Sequence, residues 1–340
     1  MSKLRKVVLT ILTVLALMVI GAYAFLQVQL GKIDRITAAE TEFTTENFEE
    51  DTDAADTLDL STLDWGEMIG VDESEKEEVI NVLIVGQDTR VPGQRARSDT
   101  MIVLSIDNAN KRLSMLSIMR DLYVQIPGYS NNKINAAYAF GGFELLDATI
   151  EENFGIHIDY NVEINFESFV DIVDAVGGID VQLNRAEVNY LSCYSDAGKK
   201  YNDTPVSGLS EGMNHLDGEA ALAYARIRHV ATDTERDDFG RTQRQRVVIQ
   251  AIFQQLKDQP WTDLLAVYDS VAGNVLTDMT NDEILTYGLA AYSMGVEEID
   301  EYRVPEDGAY SGQSINRMSV LVPHSWDTLR ANIQEFVYGK

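Results

Sequence analysis

The sequence is poor in the residues that build covalent cross-links and transition-metal sites. Cys193 is the only cysteine among 340 residues, which excludes an intrachain disulfide framework and any Cys-based zinc or iron–sulfur centre. The four histidines, His157, His215, His229 and His324, show none of the paired spacings of zinc sites. The fold must therefore be stabilised by its core, and the chain is long enough for one large domain or two average ones.

Positive charge is also scarce, with 27 Lys and Arg against 55 Asp and Glu and a net charge of −28. Nucleic-acid-binding proteins need a basic surface, so nucleic acid is excluded as an expected partner. Walker A, G-x-G-x-x-G, G-x-S-x-G and H-E-x-x-H motifs are missing from the sequence. Asp238-Phe239-Gly240 spells a kinase tripeptide, but no H-R-D loop or glycine-rich phosphate loop accompanies it. ATP-dependent and serine-hydrolase chemistry therefore have no support.

A long uncharged run lies near the N-terminus, at residues 7–26, and three basic residues precede it. About 20 apolar residues can cross a bilayer, and basic residues on one side keep that side cytoplasmic. We therefore predict a single-pass type II protein of the cell membrane. Residues 1–6 form its cytoplasmic N-terminus, residues 7–26 its transmembrane helix, and the remainder is extracellular. An A-x-A sequence at 22–24 leaves a cleaved signal peptide as the alternative.

An acidic segment follows this run. Residues 40–78 carry sixteen Asp or Glu against one Lys, and residues of this kind repel one another and bury little apolar surface. We predict an acidic flexible stalk over residues 27–78. The extracellular catalytic domain is expected to occupy residues 79–340.

Strand-like and helix-like patterns alternate within that domain. β-Branched apolar runs occur at 79–85, 101–106 and 112–118, and residues 144–154 and 166–176 carry apolar side chains at helical spacing. The second half is richer in helical patterns. This order predicts a single α/β domain in which helices cover a β-sheet.

Six arginines fall within residues 226–246 of this otherwise acidic protein. Arginine is suited to bidentate binding of phosphate oxygens. In an extended segment the side chains of Arg226 and Arg228 point the same way and can hold one phosphate group. The alternative is a structural ion network with nearby carboxylates, and Arg236 and Arg246 fit that alternative better.

A helix is expected to open at Gly240, just after these residues. Arg241, Arg244 and Gln245 then share a face that is apolar further along and therefore faces inward. Buried guanidinium groups need a partner, and a helix N-terminus already favours anions. A pyrophosphate would be such a partner.

A second charged group follows the predicted strands. Asp88 comes just after the first strand, Arg97 and Asp99 enter the second, and Arg120 and Asp121 follow the third. Sites of α/β proteins assemble at strand ends. Aspartates beside a pyrophosphate can hold Mg²⁺, for which Asp88 and Asp99 are the candidates, with loop capping as their alternative role.

Seven segments of the sequence resemble the LytR-CpsA-Psr family of cell-envelope proteins in order and spacing. They are NVLIVGQD at 81–88, RSDTMIVLSID at 97–107, SIMRD at 117–121, KINAAYAFGG at 133–142, NFESFVDIVDAVGGIDV at 165–181, LDGEAALAYARIRH at 216–229 and DFGRTQRQ at 238–245. The resemblance covers residues 81–259. Met119 stands where the family often has proline, and Gln87 where a smaller residue is common; neither is a charged candidate ligand.

The resemblance implies an extracellular α/β domain with a central mixed β-sheet covered by α-helices. It also implies transfer of a phosphoglycan, such as wall teichoic acid or capsular polysaccharide, from an undecaprenyl-pyrophosphate carrier to peptidoglycan as a phosphodiester. Mg²⁺ is the implied cofactor. Phosphoryl transfer depends mostly on positioned positive charge, which agrees with the arginines above. The alternatives are a non-catalytic, regulatory binder of lipid-linked glycan and a lipid-pyrophosphate hydrolase.

The same resemblance implies a role for individual residues. The expected pyrophosphate ligands are Arg120, Arg226, Arg228, Arg241 and Gln245, with Arg97 and Arg244 as further candidates. The expected metal ligands are Asp88 and Asp99. The expected catalytic residues are Asp99, Arg120, Asp121 and Asp238. Any one of these three aspartates can accept the proton of the attacking hydroxyl. The lipid tail needs an apolar channel, for which residues 136–140, Phe166 and Phe169 are candidates, with core packing as their alternative use.

Overall fold

The computed structural model describes most of the chain from residue 79 onward and two short pieces before it. The described residues are 34–35, 63–66, 79–87, 97–192, 205–228, 230–232, 235, 237–257, 259–260, 267 and 275–339. The strands among them are β1 (Asp34–Arg35), β2 (Val79–Gln87), β3 (Ser98–Asp107), β4 (Arg112–Ile118), β5 (Tyr123–Val124), β6 (Asn132–Lys133), β7 (Tyr160–Ile164), β8 (Ile179–Leu183), β9 (Gly212–Leu216), β10 (Val275–Thr277), β11 (Asp300–Val304), β12 (Tyr310–Ile315) and β13 (Met318–Pro323). The helices are α1 (Asn135–Phe154), α2 (Phe166–Ala175), α3 (Arg185–Leu191), α4 (Gly218–Ala225), α5 (Asp237–Lys257), α6 (Asn281–Ser293) and α7 (Trp326–Tyr338).

A seven-stranded sheet of order β1-β10-β7-β2-β3-β4-β11 organises the domain. The pairs β1–β10, β2–β7 and β4–β11 are parallel, and the other neighbouring pairs are antiparallel. The predicted α/β class with a central mixed sheet is therefore confirmed. The first three predicted strands correspond to β2, β3 and β4.

The central strands are apolar on both faces, because helices cover the sheet on both sides. Leu83 and Val85 of β2 and Met101 of β3 are buried in the core on one face. Ile84 and Ile102, one residue along in each strand, contribute to the core on the other face. This alternation follows the two-residue period of a strand and explains why apolar residues occupy successive positions in these runs.

Helices α1 and α7 pack on the first face, and α5 and α6 contribute apolar side chains to the second. A third apolar cluster lies beside the sheet and joins α2, α3 and α4 to the two-stranded β8–β9 sheet and to α5. Asp217 caps α4 by accepting a hydrogen bond from the backbone N–H of Ala220 at 2.9 Å. A Cβ on Gly218 would lie 2.4 Å from the carbonyl oxygen of Val170, so glycine permits α4 to approach α2 this closely.

Two pieces of the segment predicted as a stalk lie against the domain. β1 pairs with β10 at the edge of the sheet. The ring of Trp65 lies 6.0 Å from that of Tyr123 and 5.4 Å from that of Trp326, and the carbonyl of Trp65 accepts a hydrogen bond from Arg330 at 2.7 Å. The prediction of a stalk over 27–78 is therefore wrong at these residues, and the rest of the segment lies outside the described residues.

The predicted transmembrane run at residues 7–26 also lies outside the described residues. Within the part of the chain that the structure describes, no helix has the length and apolar character needed to span a bilayer. The transmembrane helix therefore stays a prediction.

Candidate pyrophosphate site at the end of the sheet

Five charged side chains converge at one end of the sheet. Asp99 is the second residue of β3, and Arg120 lies two residues beyond the end of β4. Antiparallel pairing of β3 with β4 places these two positions close together. Arg228 follows α4, and Asp238 and Arg241 occupy the first turns of α5, which crosses that end of the sheet.

The two carboxylates are bridged by three guanidinium groups. Asp99 Oδ1 accepts a hydrogen bond from Arg120 at 2.7 Å, and its Oδ2 lies 3.1 Å from Arg241 and 3.2 Å from Arg228. Asp238 Oδ2 accepts two hydrogen bonds from Arg120, at 2.6 and 3.1 Å. Asp238 Oδ1 lies 3.6 Å from Arg228 and 3.9 Å from Arg241. Within this group of five, the positive charges exceed the negative charges by one.

The electrostatic effects on these groups are opposed by burial. Burial raises the pKa of Asp99, but Arg241 and Arg120 outweigh it and hold that pKa below its usual value. Burial also lowers the pKa of Arg120, but Asp238, Asp121 and Asp99 raise it above the ordinary range. Arg120 and Asp99 are therefore both charged at neutral pH.

Arg241 is in a less favourable position. Its side chain is 9 % exposed, and burial together with the neighbouring Arg228 and Arg120 lowers the pKa of its guanidinium. Its Nη1 is buried without a hydrogen-bond partner among the described residues. An anion with several oxygens, placed beside Arg241, would satisfy this donor and neutralise the excess positive charge.

A cavity of about 360 Å³ lies beside the cluster. The apolar residues of its wall are Ile84, Ile102, Ile164, Phe166, Phe169, Leu222, Ala225 and Ile249. The polar residues that line it include Asp99, Arg226, Arg228, Arg241 and Gln245. This volume lies within the usual range for small-molecule sites. The combination suits a ligand with a charged head and an apolar tail.

Arg226 and Arg228 both line this cavity, but Arg226 ends α4 in a helical conformation, with φ −93° and ψ −4°, and not in the extended segment expected. The intervening Ile227 is fully buried in the third apolar cluster, the one beside the sheet. Its burial fixes the backbone between the two arginines. The guanidinium carbon of Arg226 lies 4.3 Å from the centre of the Phe166 ring, a cation–π contact. Phe166 and Phe169 thus form part of the cavity wall, in agreement with the expected channel.

The backbone at the start of α5 is fixed by aromatic contacts. Phe239 stacks on Tyr310 with ring centres 5.3 Å apart, and the guanidinium of Arg303 lies 4.5 Å from the centre of the Phe239 ring. Asp237 has a φ of 52°, a left-handed conformation that is uncommon outside glycine. These contacts hold Asp238 toward Arg120. The sequence offered no signal for them, because Arg303 and Tyr310 lie more than sixty residues away.

Arg244 does not lie with the cluster, and the structure corrects its expected role. The side chain is fully buried and donates to Glu187 at 2.8 Å and to the carbonyls of Ile227 and Val230 at 3.1 and 2.8 Å. A residue three positions after Arg241 is rotated by about 60° on a helix. Arg244 therefore faces the third apolar cluster and stabilises it, while Gln245 lines the cavity.

The remaining candidates occupy different surroundings. Asp121 lies 2.8 Å from Lys133 and 3.7 Å from Arg120, at the edge of the cluster. Arg97 is half-buried immediately before β3. Asp88 lies outside the described residues. Contrary to the expectation for residues 136–140, the cavity is not lined by them. Ala136, Ala137 and Tyr138 are buried in the core on the opposite face of the sheet, and Phe140 packs against that core.

Asp99 presents hard carboxylate oxygens of the kind that Mg²⁺ binds. In the described part of the chain, no group of three or more His, Cys, Asp or Glu is arranged to hold a metal ion. Mg²⁺ at phosphoryl-transfer sites takes one or two carboxylates and completes its shell with phosphate and water oxygens. The donor set therefore fits Mg²⁺ together with a bound pyrophosphate.

The LytR_cpsA_psr family model matches residues 37–329 of the chain. The chain belongs to the LytR-CpsA-Psr family. One LytR-CpsA-Psr relative, the polyisoprenyl-teichoic acid–peptidoglycan teichoic acid transferase TagU of Bacillus cereus, is 34 % identical over 244 residues, which are 71 % of this chain and 73 % of that protein. The regulatory protein MsrR of Staphylococcus aureus is 31 % identical over 259 residues, 76 % of this chain and 74 % of MsrR.

The fold agrees with this membership. The crystal structure of B. subtilis TagV superimposes with a TM-score of 0.60 at 30 % sequence identity, over 77 % of this chain and 98 % of that one. The family match begins at residue 37, so it includes most of the segment predicted as a stalk. A LytR-CpsA-Psr domain in this chain therefore begins well before β2.

Proposed function

We propose that the protein transfers a phosphoglycan, such as wall teichoic acid or capsular polysaccharide, from an undecaprenyl-pyrophosphate carrier to peptidoglycan. The observation that carries this proposal is the excess of guanidinium charge at the mouth of an apolar cavity. A pyrophosphate would neutralise the arginines, and the prenyl chain attached to it would occupy the cavity. The name of the similar TagU supports the reaction class.

The arginines bind the substrate and stabilise the charge that develops on it. Arg226, Arg228 and Arg241 bind the pyrophosphate oxygens, and Gln245 adds a neutral donor. Arg120 lies on the far side of Asp99 and stabilises charge on the phosphoryl group during transfer. Each side chain is positioned before the substrate arrives, so little reorganisation accompanies the reaction.

The chemical step exchanges one phosphorus–oxygen bond for another. A sugar hydroxyl of peptidoglycan attacks the phosphorus that carries the glycan, and the bond from that phosphorus to the lipid phosphate breaks. The products are a glycan phosphodiester on peptidoglycan and lipid monophosphate. The hydroxyl proton passes to an aspartate, and we propose Asp238, whose Oδ1 has no hydrogen-bond partner among the described residues. Asp99 is a poorer base because both of its carboxylate oxygens already accept hydrogen bonds, Oδ1 from Arg120 and Oδ2 from Arg228.

We propose Mg²⁺ as the cofactor, held by Asp99 and by Asp88, which follows β2. The ion would supply further positive charge beside the pyrophosphate. We also propose that residues 7–26 anchor the protein in the cell membrane, with the domain on the outer side. The lipid-linked donor and the wall acceptor both lie on that side.

The test is transfer by the purified full-length chain. The chain is incubated with Mg²⁺, a polyprenyl-pyrophosphate-linked glycan and peptidoglycan oligomers, and glycan attached to peptidoglycan is measured. Formation of this product, dependent on the acceptor, is the expected result. Tight binding without product would favour the regulatory binder, and release of glycan phosphate without acceptor would favour the hydrolase.

A further inference from the structure

The chain that leaves the predicted membrane anchor joins the sheet at the end where the candidate site lies. In the register of the sheet, Asp34 of β1 pairs with Leu276 of β10, which pairs with Glu163 of β7, which pairs with Val85 of β2. Val85 directly precedes Gly86, which lines the cavity. β1 is parallel to β10, β10 is antiparallel to β7 and β7 is parallel to β2, so β1 runs antiparallel to β2. The N-terminal end of β1 therefore lies at the end of the sheet that carries the cavity.

The distances involved are short. Seven residues, 27–33, separate the predicted transmembrane run from β1, and they reach at most roughly 24 Å when fully extended. Neighbouring strands are about 4.8 Å apart, so three strand spacings place Asp34 roughly 14 Å from Val85 along the sheet. A stalk over residues 27–78 would instead reach up to roughly 180 Å.

We propose that β1 is a membrane-docking strand, which holds the cavity end of the sheet against the outer surface of the bilayer. The partner of this end of the domain is the bilayer that contains the prenyl carrier. This proposal rests on the proposed function and on the proposed anchor. Residues 36–62 then connect two points on the domain, β1 and Leu63, and do not contribute to the length of the membrane tether.

Charge and solvation both make such a tether necessary. The sequence carries a net charge of −28, so the domain is not attracted to an anionic membrane surface by its overall charge. A prenyl chain that passes from the bilayer to the cavity through water exposes apolar surface at each step. A mouth held at the bilayer surface shortens that exposure. A short covalent connection at the cavity end provides this position without an attractive surface.

Paired insertions distinguish a short tether at β1 from a long stalk. A flexible insert of about 24 residues is placed between residues 33 and 34 in one variant and between residues 50 and 51 in a matched control. Effective concentration falls roughly as the −3/2 power of tether length, so lengthening a seven-residue tether to about 31 residues lowers transfer in vesicles about ninefold. The control insert leaves transfer within about 1.5-fold of the unmodified chain, because it does not change the tether.

If residues 27–78 acted as one stalk, both inserts would lengthen it equally and each would lower transfer about 1.8-fold. Equal effects of the two inserts would therefore overturn the proposal. Both variants are also assayed in detergent micelles with a short-chain prenyl donor, where equal activity shows that folding and chemistry are intact. An unmodified chain that makes no product in either assay would contradict the proposed function and not the tether.

A cross-link tests the strand register directly. In a Cys193→Ser background, the full-length chain with Asp34→Cys and Leu276→Cys is oxidised in vesicles. Adjacent positions on neighbouring strands are within disulfide reach, whereas positions two strands apart, at about 10 Å, are not. A disulfide in this pair, with none in the control pair Asp34→Cys and Glu163→Cys, is expected. Absence of the first disulfide would show that β1 does not form in the membrane-bound protein and would overturn the proposal.

Discussion

Replacement of Arg241 by glutamine separates binding of the pyrophosphate from stability of the fold. The substitution removes the positive charge that lies 3.1 Å from Asp99 and that lines the cavity. Asp99 keeps Arg120 at 2.7 Å and Arg228 at 3.2 Å, so its charge is not left unpaired. The free energy of unfolding should therefore change by only about 1 kcal/mol, because burial and the neighbouring Arg228 and Arg120 already disfavour the charged form of Arg241.

The effect on transfer should be much larger. Removal of one preorganised donor to a developing negative charge typically lowers kcat by about 10²–10³-fold, or about 2.7–4 kcal/mol of transition-state stabilisation. We expect a loss of this size in kcat/KM for transfer of glycan to peptidoglycan oligomers. The assay is run with a saturating acceptor and with Tm measured on the same preparation.

Arg246→Gln is the matched control, because Arg246 lies on the same helix and is equally buried. It is bound to Glu301 at 2.8 Å and lies 3.9 Å from Glu235, outside the cavity. This variant should lower the free energy of unfolding by about 1–3 kcal/mol and leave kcat/KM of the folded protein within about twofold. Equal losses of activity in the two variants, or wild-type activity in Arg241→Gln, would refute the assignment of Arg241 to the pyrophosphate.

Three further outcomes follow from the packing. Arg244→Ala should destabilise the fold by about 3–5 kcal/mol, because it leaves Glu187 buried without its partner; chemical denaturation measures this, and an unchanged midpoint would contradict the structural role. Leu222→Trp should fill part of the cavity and raise KM for a long-chain prenyl donor more than for a short-chain one, and equal shifts would show that the tail binds elsewhere. Burial and Asp278 raise the pKa of Asp147 in the folded state to about 7, above its value in the unfolded chain. The folded state therefore binds this proton more tightly, which stabilises the fold at acidic pH. This stabilisation is lost as the pH rises through 7. Asp147→Asn should therefore raise Tm at pH 8 and flatten the decline of stability between pH 5 and 8, which thermal melts at several pH values would detect; a decline as steep as that of the unmodified chain would exclude Asp147 as its source.

The parts of the fold that depend on local sequence periodicity were predictable. The runs that became β2, β3 and β4 have apolar residues on both faces because both faces of the sheet are covered, and the helical spacing at 144–154 and 166–176 corresponds to α1 and α2. The convergence of Asp99 and Arg120 also followed from the rule that sites form at strand ends.

What the sequence could not indicate depends on contacts between distant residues. Arg244 was placed on the cavity face because it lies on the same stripe as Arg241, but its partner Glu187 is fixed by an N-terminal helix cap 57 residues earlier. Similarly, Trp65 is an isolated aromatic residue in an acidic segment. Its packing depends on Tyr123 and Trp326, which composition does not reveal.

The fate of the phosphorus that carries the glycan tests the proposed reaction most directly. A polyprenyl-pyrophosphate-linked glycan is labelled with ³²P at that position and incubated with the full-length chain, Mg²⁺ and peptidoglycan oligomers. The proposed mechanism predicts that the label becomes part of a phosphodiester on peptidoglycan and that unlabelled lipid monophosphate is released in equal amount. Label that stays on the lipid, or that is released to water as glycan phosphate, would contradict it.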